Sequence, residues 1–399
     1  MRELLDVVSQ ERLVAWLQAL VRHASPQTER FEAEPAVQTF IADCVRPMLA
    51  HEGLGGRLDA MGNLILETGP RSAARSAMIL AYSMTHPASS MKEPFRGEIV
   101  SSTSGPAVRG RGVAEQKGAL AAAIAAFVAA SRSNPRARLV LAVSTAGETG
   151  QHKAAESILG SLDRAPDVAI LAIGTGDRVS LANKGRLDVH IEVAGKASHS
   201  STPWLGIDAI TGARALMDRL AALDLGPQEH PGLGRATLTA TAIRSFPEAT
   251  HTIQNLVRMT YDRRLLPGQD PETALNAIKQ AVSHLPPWEV SVRGGALQYA
   301  AEIPPDGTFM RCARAGNRRM GLSGPDTFSS HGCVDAGLLV RQGCEAAMWG
   351  PGEQSMWHTD DEQLPIRNLL QGAAAYLGFL LEIAPESEPR LKSPSSAPK

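Results

Sequence analysis

The chain carries no excess of either charge: 40 lysines and arginines stand against 41 aspartates and glutamates, a formal net charge of -1. That balance leaves no electrostatic footprint for nucleic acid or an anionic membrane, so neither is expected as a partner. Cysteine is scarce as well. Cys44, Cys312, Cys333 and Cys344 form no Cys-x-x-Cys pair, which speaks against a thiolate zinc site or a disulfide framework and leaves four plain core or half-buried thiols. Long apolar runs are missing: nothing approaches membrane-spanning length, and the start, Met1-Arg2-Glu3-Leu4-Leu5-Asp6, lacks the apolar stretch of a signal peptide. A cytoplasmic protein is the expectation.

What remains is an ordinary globular composition, 43% hydrophobic and 20% charged, over 399 residues. A chain that long exceeds one ordinary core, so two domains are expected. Leu13, Trp16, Leu17, Leu20 and Val21 recur at helical spacing, as do Ile366, Leu369, Leu370, Ala373, Leu377 and Leu380. Short apolar runs of strand length occur from Ala77 to Tyr82, Arg138 to Ser144, Val168 to Ile173 and Ala346 to Trp349, and the alanine-rich run Lys117 to Ala130 supplies a helix. Near-continuous apolarity marks strands covered on both faces, which predicts an α/β domain built on a mainly parallel sheet. From about Gly185 to Arg293 the texture changes. Arg186 to Val193, Ala236 to Ala242 and Trp288 to Val292 alternate polar and apolar, with helical segments near Gly206 to Leu223 and Glu272 to His284. Half-exposed antiparallel strands fit that pattern, giving an inserted α+β module of four strands and two helices. The tail 386–399, rich in Pro, Ser and Lys, is expected to be disordered.

Three polar clusters fall at strand or helix ends, and the loops leaving strand ends are where α/β sheets gather ligands. The loop Gly352 to Glu362 carries His358 and a run of carboxylates; it reads as a metal-ligand segment or as a surface histidine beside a solvated acidic run. Gly110 to Gly118 is a glycine-punctuated loop entering the alanine-rich helix, with Glu115 near the helix N-terminus. The helix dipole favours a carboxylate there, and an ordinary first-turn acid is the alternative. Ser144 to Gly150 places Glu148 just past another strand. Two carboxylates and one histidine can supply an oxygen and nitrogen set for zinc, manganese or cobalt.

These segments together resemble the metal-dependent amidohydrolase and peptidase family of acetylornithine deacetylase, succinyl-diaminopimelate desuccinylase, aminoacylase and carboxypeptidase G. The likeness spans about residues 10 to 383 and rests on Gly110-Arg111-Gly112 with Glu115, Lys117 and Gly118, and on Gly147-Glu148-Thr149-Gly150. Lys184-Gly185, Gly195-Lys196-Ala197-Ser198-His199, Asp262 with Arg264 and Pro267, and Gly350-Pro351-Gly352 with His358-Thr359 complete it. It implies a catalytic domain in two parts, residues 1–184 and 295–385, interrupted at 185–294 by a lid that mediates homodimerisation.

Carried over by position, the resemblance makes Glu115, Glu148 and His358 metal ligands and His199 the group that reaches across a dimer to stabilise an oxyanion. Arg264 becomes the fork for a substrate carboxylate, with a salt bridge to Asp262 as its alternative role. The chain also departs from the pattern. Tyr82 stands where a ligand histidine is expected, Met84 where its supporting aspartate is, Gly147 at the general base, and Gly174 or Thr175 at a further first-site carboxylate. One metal position is thereby lost, and a single divalent transition metal (zinc, manganese or cobalt) is the implied cofactor. His86 is either a fourth ligand or a structural group. The implied activity is hydrolysis of a carbon-nitrogen bond, an amide or related, in a small carboxylate-bearing molecule. A metal-dependent hydrolytic deaminase of an aminoaromatic acid and a non-catalytic binding protein are the alternatives.

Overall fold

The computed structural model describes residues 1–147, 149–226 and 228–384; the tail expected to be disordered lies outside them. The main sheet draws strands from both ends of the chain. Its β1 (Leu64–Thr68), β2 (Ser76–Tyr82), β3 (Arg138–Ser144) and β4 (Val168–Ala172) precede a second sheet made of β5 (Gly185–Ala194), β6 (Thr237–Phe246), β7 (Leu256–Leu265) and β8 (Glu289–Gln298), and β9 (Glu345–Trp349) follows it. The helices needed below are α1 (Gln10–Arg22), α2 (Lys117–Arg132), α3 (Ala209–Ala221), α4 (Pro271–Val282), α5 (Thr308–Arg319) and α6 (Ile366–Leu381).

The main sheet runs in the order β1-β3-β2-β4-β9, with the two-residue strand Arg57–Leu58 beyond β1. The pairings β3–β2, β2–β4 and β4–β9 are parallel, and β1 against β3 is antiparallel. Every residue of β2, β3 and β4 is buried, as a sheet covered on both faces requires. Helix α2 is buried from Lys117 to Ala130, and its alanines let α1 and α6 pack against it. The expected strands and the alanine-rich helix are therefore present, each with ends within two residues of those read from the sequence.

The second sheet is wholly antiparallel, in the order β6-β7-β5-β8. Along β5 burial alternates without a break. Leu187, Val189, Ile191 and Val193 turn toward α3 and α4, where they meet Leu216, Leu220, Ile278 and Val282 in one apolar cluster. The period of two then sends Arg186, Asp188, His190 and Glu192 to the opposite face. The four strands and two helices match the expected α+β module. Among the described residues, no helix is long and apolar enough to cross a membrane.

Candidate metal centre and active site

The Gly110 to Gly118 loop is wound around a single carboxylate. Glu362 is 1% exposed; its Oε2 accepts the Gly112 N–H at 2.8 Å and Arg111 Nη1 at 3.0 Å, and its Oε1 accepts the N–H groups of Ala114 at 3.0 Å and Glu115 at 3.3 Å. Burial pushes the Glu362 carboxyl above its ordinary range, and these donors offset that only in part. Composition alone had put this residue in a solvated acidic run. The run is in fact split, with Asp360 and Asp361 exposed and Glu362 buried. The overlooked signal is Gln363-Leu364-Pro365, a short strand pairing with Ala107 to Arg109 that pulls its preceding residue inward.

Glu115, fixed by this clamp, meets His358. Their Oε2 and Nε2 atoms are 3.2 Å apart. His358 adopts a left-handed backbone with φ of +61°, a conformation that costs a non-glycine residue on the order of 1 kcal/mol and is kept where the surroundings over-determine it. The Thr359 N–H and hydroxyl, both donating to the Met356 carbonyl, hold the turn. His86 stacks on the His358 ring with centroids 3.9 Å apart and planes 18° from parallel. Two ligands about 2.1 Å from a tetrahedral ion lie roughly 3.4 Å from each other. The Glu115–His358 spacing is thus suited to sharing one divalent ion. Among the described residues, no group of three His, Cys, Asp or Glu side chains could hold a metal, and Glu148, the expected third ligand, lies outside the described residues. The described donors fit part of one ion's shell.

Among the described residues, the position that the resemblance gives to the ligand histidine of a second ion is otherwise engaged. The Tyr82 hydroxyl donates to Asp335 Oδ2 at 2.9 Å and accepts the Asp335 N–H at 3.2 Å. Asp335 Oδ1 lies 2.7 Å from His152 Nδ1, while His152 Nε2 accepts the Tyr299 N–H at 2.9 Å, which leaves Nδ1 as the donor toward Asp335. Burial, then the Asp335 charge, pushes the Tyr82 phenol well above its ordinary pKa. A neutral, fully engaged phenol is no metal ligand. Gly147 and Gly174 are closed in a different way. A β-carbon on Gly147 would lie 2.2 Å from the Met84 carbonyl oxygen, and one on Gly174 would lie 1.9 Å from that of Ala114. Backbone occupies the room that the two expected carboxylates would need.

Glu115, His358, Tyr82 and Trp357 line one side of a cavity of about 340 Å³, and Arg186, Arg264, Gln298 and Cys333 also border it. That volume suits a small ligand. Arg264 makes the bidentate pair with Asp262, at 2.8 and 3.0 Å, yet still lines the cavity. His199 does not line it; it is exposed, with Nδ1 2.8 Å from the Ser201 hydroxyl. Arg186 and Gln298 were not singled out as site residues by the sequence pattern, because Arg186 reads there as one polar position of an alternating strand and Gln298 lies past the alternation of Trp288 to Val292.

Residues 181–290 match the peptidase dimerisation domain of M20 peptidases. A Pyrobaculum aerophilum protein provisionally assigned as a LysW-lysine/LysW-ornithine hydrolase is 28% identical over 279 residues, covering 70% of this chain and 76% of its own length. Acetylornithine deacetylase of Myxococcus xanthus is 28% identical over 277 residues, covering 65% of this chain and 68% of its own. In fold, the M20 family metallo-carboxypeptidase Sso-CP2 from Sulfolobus solfataricus superposes with a TM-score of 0.75 at 14% identity, over 93% of this chain and 99% of that one. Fold and relatives define a metal-dependent hydrolase. In sequence and in fold the chain is similar to the M20 amidohydrolases and peptidases.

Proposed function

We propose that this protein hydrolyses an amide or related carbon-nitrogen bond in a small carboxylate-bearing molecule, with one divalent transition metal as cofactor. The observation that carries the reading is the convergence of Glu115 and His358 at 3.2 Å on a cavity also bordered by Arg264. These two residues would hold the ion, with Glu148 and His86 as the further candidates. A bound zinc, manganese or cobalt ion would supply Lewis acidity toward the scissile carbonyl and the attacking water. Glu362 keeps Glu115 in place through the backbone of its loop. Arg264, its guanidinium held by Asp262, orients the substrate carboxylate. Since Gly147 offers no carboxylate, proton transfer falls to Glu115 or Glu148. His199 reaches a reacting carbonyl from a partner copy, which makes the active form a homodimer joined through the inserted module. The domain limits 1–184 with 295–385, and 185–294, follow the same reading, as does a reducing, cytoplasmic location for a chain whose four cysteines are unpaired.

The test is metal analysis with turnover. Purified protein loaded with zinc, manganese or cobalt should hold close to one ion per chain and hydrolyse members of a panel of N-acyl amino acids, and His358→Ala should lose both properties. Hydrolysis of aminoaromatic acids instead would select the deaminase reading. The closed positions at Gly147 and Tyr82 favour a binding protein as the second reading, and metal-loaded protein that binds but never turns over any of these compounds would establish it.

A further inference from the structure

Three polar side chains stand in one row across the second sheet. Arg264 on β7 pairs with Arg186 on β5, and Arg186 pairs with Gln298 on β8. Directly paired residues of antiparallel strands share a face, and all three line the cavity that holds Glu115 and His358. Two arginines placed opposite each other repel. Each is therefore pinned by an aspartate two positions along its own strand: Arg186 Nε and Nη2 donate to Asp188 at 2.8 and 3.0 Å, and Arg264 Nε and Nη2 donate to Asp262 at 2.8 and 3.0 Å. Arg186 Nε also lies 3.6 Å from Asp262 Oδ2, which ties the two pairs together.

The quartet spends one edge of each guanidinium and leaves Nη1 at the other. Nη1 of Arg186 lies 3.0 Å from where a β-carbon on Gly150 would stand, so it extends toward the 147–150 loop. Nη1 of Arg264 makes only long contacts, 3.5 Å to the His331 carbonyl and 3.6 Å to Cys333 Sγ, both at or beyond the limit of a useful hydrogen bond. Gln298 is 5% exposed, and among the described residues its side-chain amide makes no hydrogen bond although it borders the cavity. Bordering the cavity, that amide is placed to meet a polar group of a ligand there.

We propose that Arg186 and Gln298, beside Arg264, form a subsite that receives one carboxylate of the ligand, and that Arg186 and Gln298 determine its specificity. Two guanidinium charges are already offset by Asp188 and Asp262, so the row suits one planar carboxylate, whose two oxygens match a guanidinium fork, better than a tetrahedral phosphate. The inference rests on the hydrolase reading only in calling the occupant a substrate.

Calorimetric titration of the full chain, dialysed free of metal so that a carboxylate has no ion to bind, tests it with succinate as the probe and inorganic phosphate as the comparison. Succinate should saturate one site per chain at least tenfold more tightly than phosphate. Arg186→Gln should weaken succinate at least tenfold and Gln298→Leu about threefold, with Arg186→Lys intermediate and all three variants folded by circular dichroism. The proposal is overturned by absence of saturable succinate binding, by phosphate binding as tightly, or by a folded Arg186→Gln that binds succinate as the parent does. In that last case the quartet merely braces the sheet. Failure of the hydrolase reading is separate, because succinate binding is measured without turnover.

Discussion

His358 and Glu115, whose Nε2 and Oε2 atoms lie 3.2 Å apart, are proposed to hold one metal ion as a pair. Removing either donor from a shell to which the described chain contributes so few should cost far more than a peripheral change: Glu115→Gln and His358→Ala are each expected to lower metal-dependent turnover by at least about a hundredfold, measured as kcat/KM under metal saturation. A second residue makes a pH prediction. Lys117 is fully buried, and burial lowers its pKa from 10.5 to about 7; its Nζ donates to the Leu20 and His23 carbonyls. The unfolded lysine keeps its proton up to about 10.5 while the folded one releases it near 7, so between these values the unfolded state binds more protons. Lys117 therefore makes stability rise with pH from about 7 toward 10, its penalty being full below 7. Urea unfolding at pH 7, 8 and 9 should give a positive slope for the parent that is smaller in Lys117→Met. At this scale the sequence was informative about residue type and poor about surroundings. Glu115 and His358 could be singled out as candidates through the likeness of their loops to the family pattern, and Asp262 could be foreseen as the partner of Arg264 two positions along the strand, whereas the Asp335 and Tyr299 contacts of His152 depend on packing that no spacing encodes.

Among the elements, the loop wound around Glu362 is the most vulnerable. Four donors converge on its carboxylate, and two of them are the backbone N–H groups of Ala114 and Glu115. Glu362→Ala would strand Arg111, whose side chain is fully buried, so a loss of about 3–5 kcal/mol is expected, as for breaking other buried ion pairs. The measurement is chemical denaturation, and metal affinity should fall with it because Glu115 loses its anchor. Helices and strands were legible in the chain because burial imposes periods of 3.6 and 2 on the apolar residues. This is clearest in β5, where alternation survives through ten residues. The inward turn of Glu362 was not legible, since a lone buried acid leaves no period, and only its neighbours' pairing with Ala107 to Arg109 betrays it.

For the whole molecule, the second sheet ends in a strand prepared for a neighbour. β6 forms one edge of that sheet, is largely exposed along its length, and shows Ile243 at 56% exposure. A long exposed edge is a template for pairing with another chain. With homodimerisation proposed through this module, sedimentation should report twice 42.3 kDa for the parent, and Ile243→Lys should shift the population toward the single-chain mass. Loss of the dimer should also lower turnover if His199 acts on the partner's substrate, whereas a monomer of full activity would remove His199 from the mechanism. The two closed glycines carry a consequence for redesign. With backbone oxygens 2.2 and 1.9 Å from any β-carbon at positions 147 and 174, a carboxylate can be installed at either place only if a loop moves as well as a side chain changes.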